Sequence, residues 1–101
     1  MSLFSVFSIS LSGMNAAALR ESTAGSNVAN ALTTGYRRAS VVQTAQPGGG
    51  VAASVKRGVG SGSDLVEDVV SQMGAVYSFK ANLLSLKVAD RMAGIILNVR
   101  A

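Results

Sequence analysis

Residues 64–99 read DLVEDVVSQMGAVYSFKANLLSLKVADRMAGIILNV, a long stretch without proline. Within it Leu65, Val69, Val76, Phe79, Leu83, Leu86, Ala93 and Leu97 follow spacings of three and four, with Gln72 and Asp90 as polar insertions. That rhythm lines side chains along one face of an α-helix. Ser63 ahead of Asp64 and Glu67 reads as an N-cap followed by acidic residues at the positive end of the helix dipole, so a helix is predicted over 64–99. A second apolar line, Met73, Leu84, Val88, Met92, Ile95 and Val99, makes its sticky face wider than one partner helix covers.

The same rhythm recurs at the start of the chain. Phe4, Phe7, Leu11, Met14, Ala18, Gly25, Val28 and Leu32 keep it, broken only at Glu21, and predict a helix over 2–32. Thr33-Thr34-Gly35 signals its end, because glycine accepts the left-handed backbone of a helix stop. Between the helices, β-branched and small residues flank Gln46-Pro47-Gly48-Gly49-Gly50, so 38–45 and 51–59 are expected to form a β-hairpin. Gly58, Gly60, Ser61, Gly62 and Ser63 then read as a flexible joint. The chain divides into 1–35, 36–63 and 64–101, three segments of one structural unit.

Composition narrows the function. At 101 residues, 49% hydrophobic and 14% charged, the chain is a single domain far from the composition of a disordered one. With no Cys and no His, it has no disulfides, thiolate nucleophile, ordinary zinc site or histidine acid/base chemistry. Asp64, Glu67 and Asp68 cluster, but capping accounts for them, and Gly48-Gly49-Gly50 lacks the Lys-Ser/Thr of a phosphate loop. No enzyme activity, metal or cofactor is expected.

The net charge of +4 lies in the first two segments, on Arg20, Arg37, Arg38, Lys56 and Arg57 against Glu21. These cations stand mostly in two isolated pairs with Tyr36 the one aromatic beside them, a thin footprint for nucleic acid. A small basic helical module binding nucleic acid or an anionic membrane surface is the alternative reading; neither nucleic acid nor membrane insertion is the expectation. The apolar start is interrupted by Ser2, Ser5, Ser8, Ser10 and Ser12 and has no preceding Lys or Arg, so no cleaved signal peptide is expected. Asn27, Asn30 and Asn82 sit inside apolar-patterned helices, where they face solvent or fix helix register, within the chain or between subunits.

Further residues resemble a known family. Ser12-Gly13-Met14-Asn15-Ala16 and the run from Ser26-Asn27-Val28-Ala29-Asn30 through Thr33-Thr34-Gly35-Tyr36-Arg37-Arg38 are similar to the N-terminal signature of the bacterial flagellar rod and hook (axial) proteins. Asp64-Leu65-Val66-Glu67-Asp68-Val69-Val70, Ala75, Phe79, Ala81-Asn82 and Ala89-Asp90-Arg91-Met92 resemble that family's C-terminal run. Leu32, Thr34, Val76 and Phe79 depart from its usual Asn, Pro, Gln and Tyr.

The resemblance implies a mainly α fold, with the long terminal helices pairing as an antiparallel coiled-coil hairpin and a short β-hairpin or loop between them. It implies a minimal structural subunit of the flagellar basal body rod, in the periplasmic space, exported through the flagellar type III apparatus. Its partners would be copies of itself and other rod proteins, joined in a hollow helical tube that transmits torque and conducts exported subunits. The residues expected at subunit interfaces are Phe4, Phe7, Leu11, Met14, Asn27, Val28, Asn30, Leu32 and Gly35 on the first segment. On the last they are Leu65, Val69, Val76, Phe79, Asn82, Leu83, Leu86 and Leu97.

Helices of roughly 45 Å and small side chains offer each other little surface for the residues they must order. Contacts from other chains are expected to supply the rest. The thermal midpoint should therefore rise with protein concentration in a differential scanning experiment; a sharp transition of a persistent monomer, independent of concentration, would contradict this.

Overall fold

The structure, a computed structural model, describes residues 3–58 and 64–100. Helix α1 spans Leu3–Ala29, strands β1 and β2 span Ala39–Ala45 and Val51–Arg57, and helix α2 spans Leu65–Arg100. The two helices pack along one another extensively, and both strands rest on α1. The result is a rod 63 Å long with a radius of gyration of 17.4 Å, where a compact chain of this length would have about 13 Å.

The elements fall where the patterns put them, with shifts at the ends. α1 stops at Ala29, three residues short of the expected 32, and the chain unwinds through tighter turns in which Ala31 donates to Val28 O and Thr33 to Asn30 O. Asn30 closes this end by donating its side-chain amide to Ser26 O at 2.9 Å, and Gly35 takes the left-handed φ of 77°. At the start of α2, Asp64 Oδ1 accepts from Glu67 N–H at 3.2 Å, so Asp64 is a cap in its own right. Ser63, Val59 and the joint at 60–63 lie outside the described residues.

The strands pair antiparallel, from Ala39 opposite Arg57 to Ala45 opposite Val51. Gln46 N–H donates to Gly50 O, and Gly49 N–H to Gln46 O, each at 3.0 Å. Gly49 and Gly50 have φ of 96° and 86°, and a Cβ on either would strike Ile9 or Ser12 of α1. The turn needs glycine for its backbone and again for its approach to the helix.

The seam between the helices is made of small residues. Ser10, Ala16, Ala17, Thr23, Ala24 and Asn27 are the buried residues of α1; Asp68, Ala75 and Ala89 are those of α2. Among the described residues, no large side chain is fully buried. Asp68, Ala75, Asn82 and Ala89 recur every seventh residue, as do Ser10, Ala17 and Ala24. The helices are antiparallel: Gly13 faces Asn82, Arg20 reaches Ser78, and Asn27 meets Asp68.

On α1 Ser10, Ala17 and Ala24 are buried, and of the expected line Phe7, Met14, Gly25 and Val28 are half-buried while Phe4, Leu11, Ala18 and Leu32 are exposed. On α2 the expected line is split in the same way, with Val76, Phe79, Leu83, Leu86 and Ala93 half-buried beside Ala75 and Ala89 and with Leu65, Val69 and Leu97 exposed. Small residues win the seam because they let two backbones approach closely.

Gly13 makes the tightest of these approaches, since a Cβ there would fall on the Asn82 carboxamide. Gly13→Val should destabilise the fold by about 1–3 kcal/mol in chemical denaturation. Adding Asn82→Ala, which clears the space, should recover part of that loss.

Candidate assembly surface

Two kinds of site emerge: a buried polar junction where three elements meet, and a broad apolar exterior. The junction centres on Asn27, which is 2% exposed. Its Nδ2 donates to Ala39 O at 2.7 Å and to Asp68 Oδ1 at 3.4 Å. Its Oδ1 accepts from Ala39 N–H at 3.0 Å and from the Tyr36 hydroxyl at 3.0 Å. Both donors and both acceptor positions of the amide are used.

Asp68, 3% exposed, receives Arg38 through two bonds, Nη2 to Oδ1 at 2.5 Å and Nε to Oδ2 at 3.2 Å. This forked pairing satisfies a carboxylate that burial would otherwise penalise. The Asp68 hydrogen bond also raises the Arg38 guanidinium above its ordinary pKa. Tyr36 hydrogen-bonds Ser26 at 3.2 Å, which holds its phenol below the ordinary pKa against the opposing effect of burial. Arg57 sits over the Tyr36 ring, 5.3 Å from its centroid, and donates to Arg37 O at 3.0 Å.

Two of the four central cations are therefore engaged within the chain, Arg38 with Asp68 and Arg57 with Tyr36, which weakens the reading of a basic binding patch. The pairing of Asp68 was hidden in the sequence because helix capping accounted for its cluster. Its spacing of seven from Ala75 was the available signal that it belongs to the seam. Among the described residues, no group of His, Cys, Asp or Glu could hold a metal ion, and no helix is long and apolar enough to cross a membrane.

The seventeen residues expected at interfaces divide by position. Phe4, Leu11, Leu32, Gly35, Leu65, Val69 and Leu97 are exposed, Leu32 to 99%. Phe7, Met14, Val28, Asn30, Val76, Phe79, Asn82, Leu83 and Leu86 are half-buried on the flanks of the helix pair. Asn27 alone is buried, and all its bonds stay within the chain; the register it holds is that of this fold. Asn82 donates to Ser78 O of its own helix at 2.8 Å.

The exterior is more apolar than these residues suggest. Val66, Val70, Tyr77 and Ile96 of α2 are also exposed, beside Met73, Leu84, Val88, Met92 and Ile95 of the second apolar line. Val70, Tyr77 and Leu84 stand seven residues apart, a pattern that marked a further line along the outside of α2. At one end of the rod Leu3 and Val6 of α1 and Val88, Met92 and Ile96 of α2 line an open apolar cleft.

Residues 7–37 match the family model described as Flagella basal body rod protein. The match spans most of α1, the turn after it and Tyr36 of the junction. It supports a structural role in the rod of the flagellar basal body, in a family that is a structural component and not an enzyme family. The resemblance of the C-terminal run lies outside the matched residues. No curated protein matches the chain.

Asn27→Ala would strand the buried amide and carbonyl of Ala39 and remove a contact from Asp68. A loss of about 2–4 kcal/mol is expected in urea denaturation. A loss below about 1 kcal/mol would show that the junction does not organise the fold.

Proposed function

We propose that this chain is a structural subunit of the flagellar basal body rod, polymerising through the outer faces of its two helices. Its partners are copies of itself and other rod proteins, and the product is a hollow helical tube that transmits torque and conducts exported subunits. The chain reaches that tube through the flagellar type III apparatus, and the rod stands in the periplasmic space.

The observation that carries this reading is the excess of surface. The chain exposes 6928 Å², whereas a folded monomer of 10.3 kDa exposes about 5,400 Å². The excess of about 1,500 Å² corresponds to nearly two standard interface faces of about 800 Å² each. Two faces are what a subunit in an open, head-to-tail assembly uses, one toward each neighbour. The exposed residues are of the right kind: Phe4 is 85% and Tyr77 74% exposed, with Leu84, Met92 and Ile95 along the same exterior.

Tyr77→Asp and Leu84→Asp place a charge on this exterior without entering the seam. Each should leave the helical circular dichroism signal and secretion intact while rod assembly and swimming fail, because a carboxylate buried at every subunit contact costs several kcal/mol. Normal motility in both would refute the proposal.

A further inference from the structure

The edges of the β-hairpin are plugged at opposite ends, and the open parts match one another. Gln46 N–H donating to Gly50 O and Gly58 N–H donating to Arg38 O bracket the ladder. Even-numbered residues of the two strands therefore bond across the hairpin, and odd-numbered ones turn their N–H and C=O outward. On the β1 edge the Asn27 carboxamide meets both backbone groups of Ala39, occupying one rung as a neighbouring strand would. On the β2 edge the Ser12 hydroxyl takes Val51 N–H at 3.2 Å. Among the described residues, no partner from the protein meets the outward groups of Val41, Gln43 and Ala45, or of Ala53, Val55 and Arg57.

Strand edges are usually guarded by charge, proline or a covering element. β1, ASVVQTA, carries neither charge nor proline. Beside its start, Glu67 of α2 lines a recess together with Ser40 and Val41; Arg20 and the paired Arg38 and Asp68 also line it, which leaves Glu67 as the carboxylate there without an ion pair among the described residues. The β2 strand carries the opposite charge, Lys56, at the end that would reach this recess, next to Arg57, which stays on Tyr36 of its own chain.

We propose that the β1 edge receives the β2 edge of a second copy, antiparallel, with Val41 opposite Arg57, Gln43 opposite Val55 and Ala45 opposite Ala53. This register uses only the open rungs and brings Lys56 of one copy to Glu67 of the other. The contact joins different surfaces of the two copies, so it propagates from subunit to subunit as an open assembly requires. It deepens the assembly reading and rests on it.

The chain has no cysteine, so single-cysteine variants report the contact directly. Full-length Gln43→Cys and Val55→Cys chains, mixed and oxidised mildly, should give a mixed disulfide dimer in excess of either homodimer, since facing strand residues lie within disulfide reach. Gln43→Pro removes an outward N–H and leaves the hairpin's own ladder intact. It should weaken self-association in sedimentation velocity about fivefold to tenfold. Glu67→Lys and Lys56→Glu should each weaken it, and the two in one chain should restore it.

Self-association that persists with no mixed disulfide above background would overturn this contact and leave assembly through the helices standing. A Gln43→Cys homodimer as the main product would replace it with a twofold β1–β1 contact. Absence of self-association at any concentration would overturn both this contact and the assembly reading.

Discussion

Close approach of α1 and α2 along a line of alanine, serine and glycine is the constraint from which the rest of the structure follows. Ala17, Ala24, Ala75 and Ala89 are nearly inaccessible, yet each buries little area because each is small. Backbones this close leave no room for leucine or phenylalanine between them. The large apolar residues are pushed to the flanks, where the chain covers them only in part, and to the outside, where they are exposed. A thin core and a greasy exterior are thus two consequences of one packing choice.

A seam of small residues is weakly directional, since alanine offers little shape to fix register. The polar junction supplies what the seam lacks. Asn27 bonds only where Ala39, Tyr36 and Asp68 converge, and Arg38 grips Asp68 through two nitrogens. Sliding α2 by one turn would break the bonds of Asp68 to Asn27 and Arg38 and leave a buried carboxylate unpaired. At the far end of the hairpin, Gly49 and Gly50 lie against Ile9 and Ser12, so the hairpin is held to α1 at both its base and its tip.

Much of this architecture was legible in the sequence, and one feature was not. The two helices, the hairpin and its glycine turn follow from spacing and turn chemistry, with the end of α1 misplaced by three residues because Thr33-Thr34-Gly35 closes a turn and not the helix itself. What hydrophobicity did not reveal is that small residues take the centre of the seam, with Phe7, Met14, Phe79 and Leu86 only half-buried beside them. A heptad pattern is visible in the large residues and equally in the small ones, and hydrophobicity favours Phe4, Leu11 and Val69 over Ser10, Ala17 and Ala75. Periodicity gives the direction of a helix face; which of two parallel lines meets the partner depends on packing distance, and composition is silent on that. Asp68 was hidden for a related reason, since an acid in a first turn already has a local explanation.

The separation of small residues inward from large ones outward makes the α2 methionines reporters of assembly. Met73 and Met92 are exposed on the isolated chain, and methionine oxidation follows access to the sulfur. Hydroxyl-radical footprinting of the full chain, dilute and assembled, compares the two states at these side chains. The account predicts rapid oxidation of both in the dilute chain and strong protection of at least one in the assembly. Equal oxidation in the two states would show that the outer face of α2 stays bare, and that the missing burial is not supplied by neighbouring subunits there.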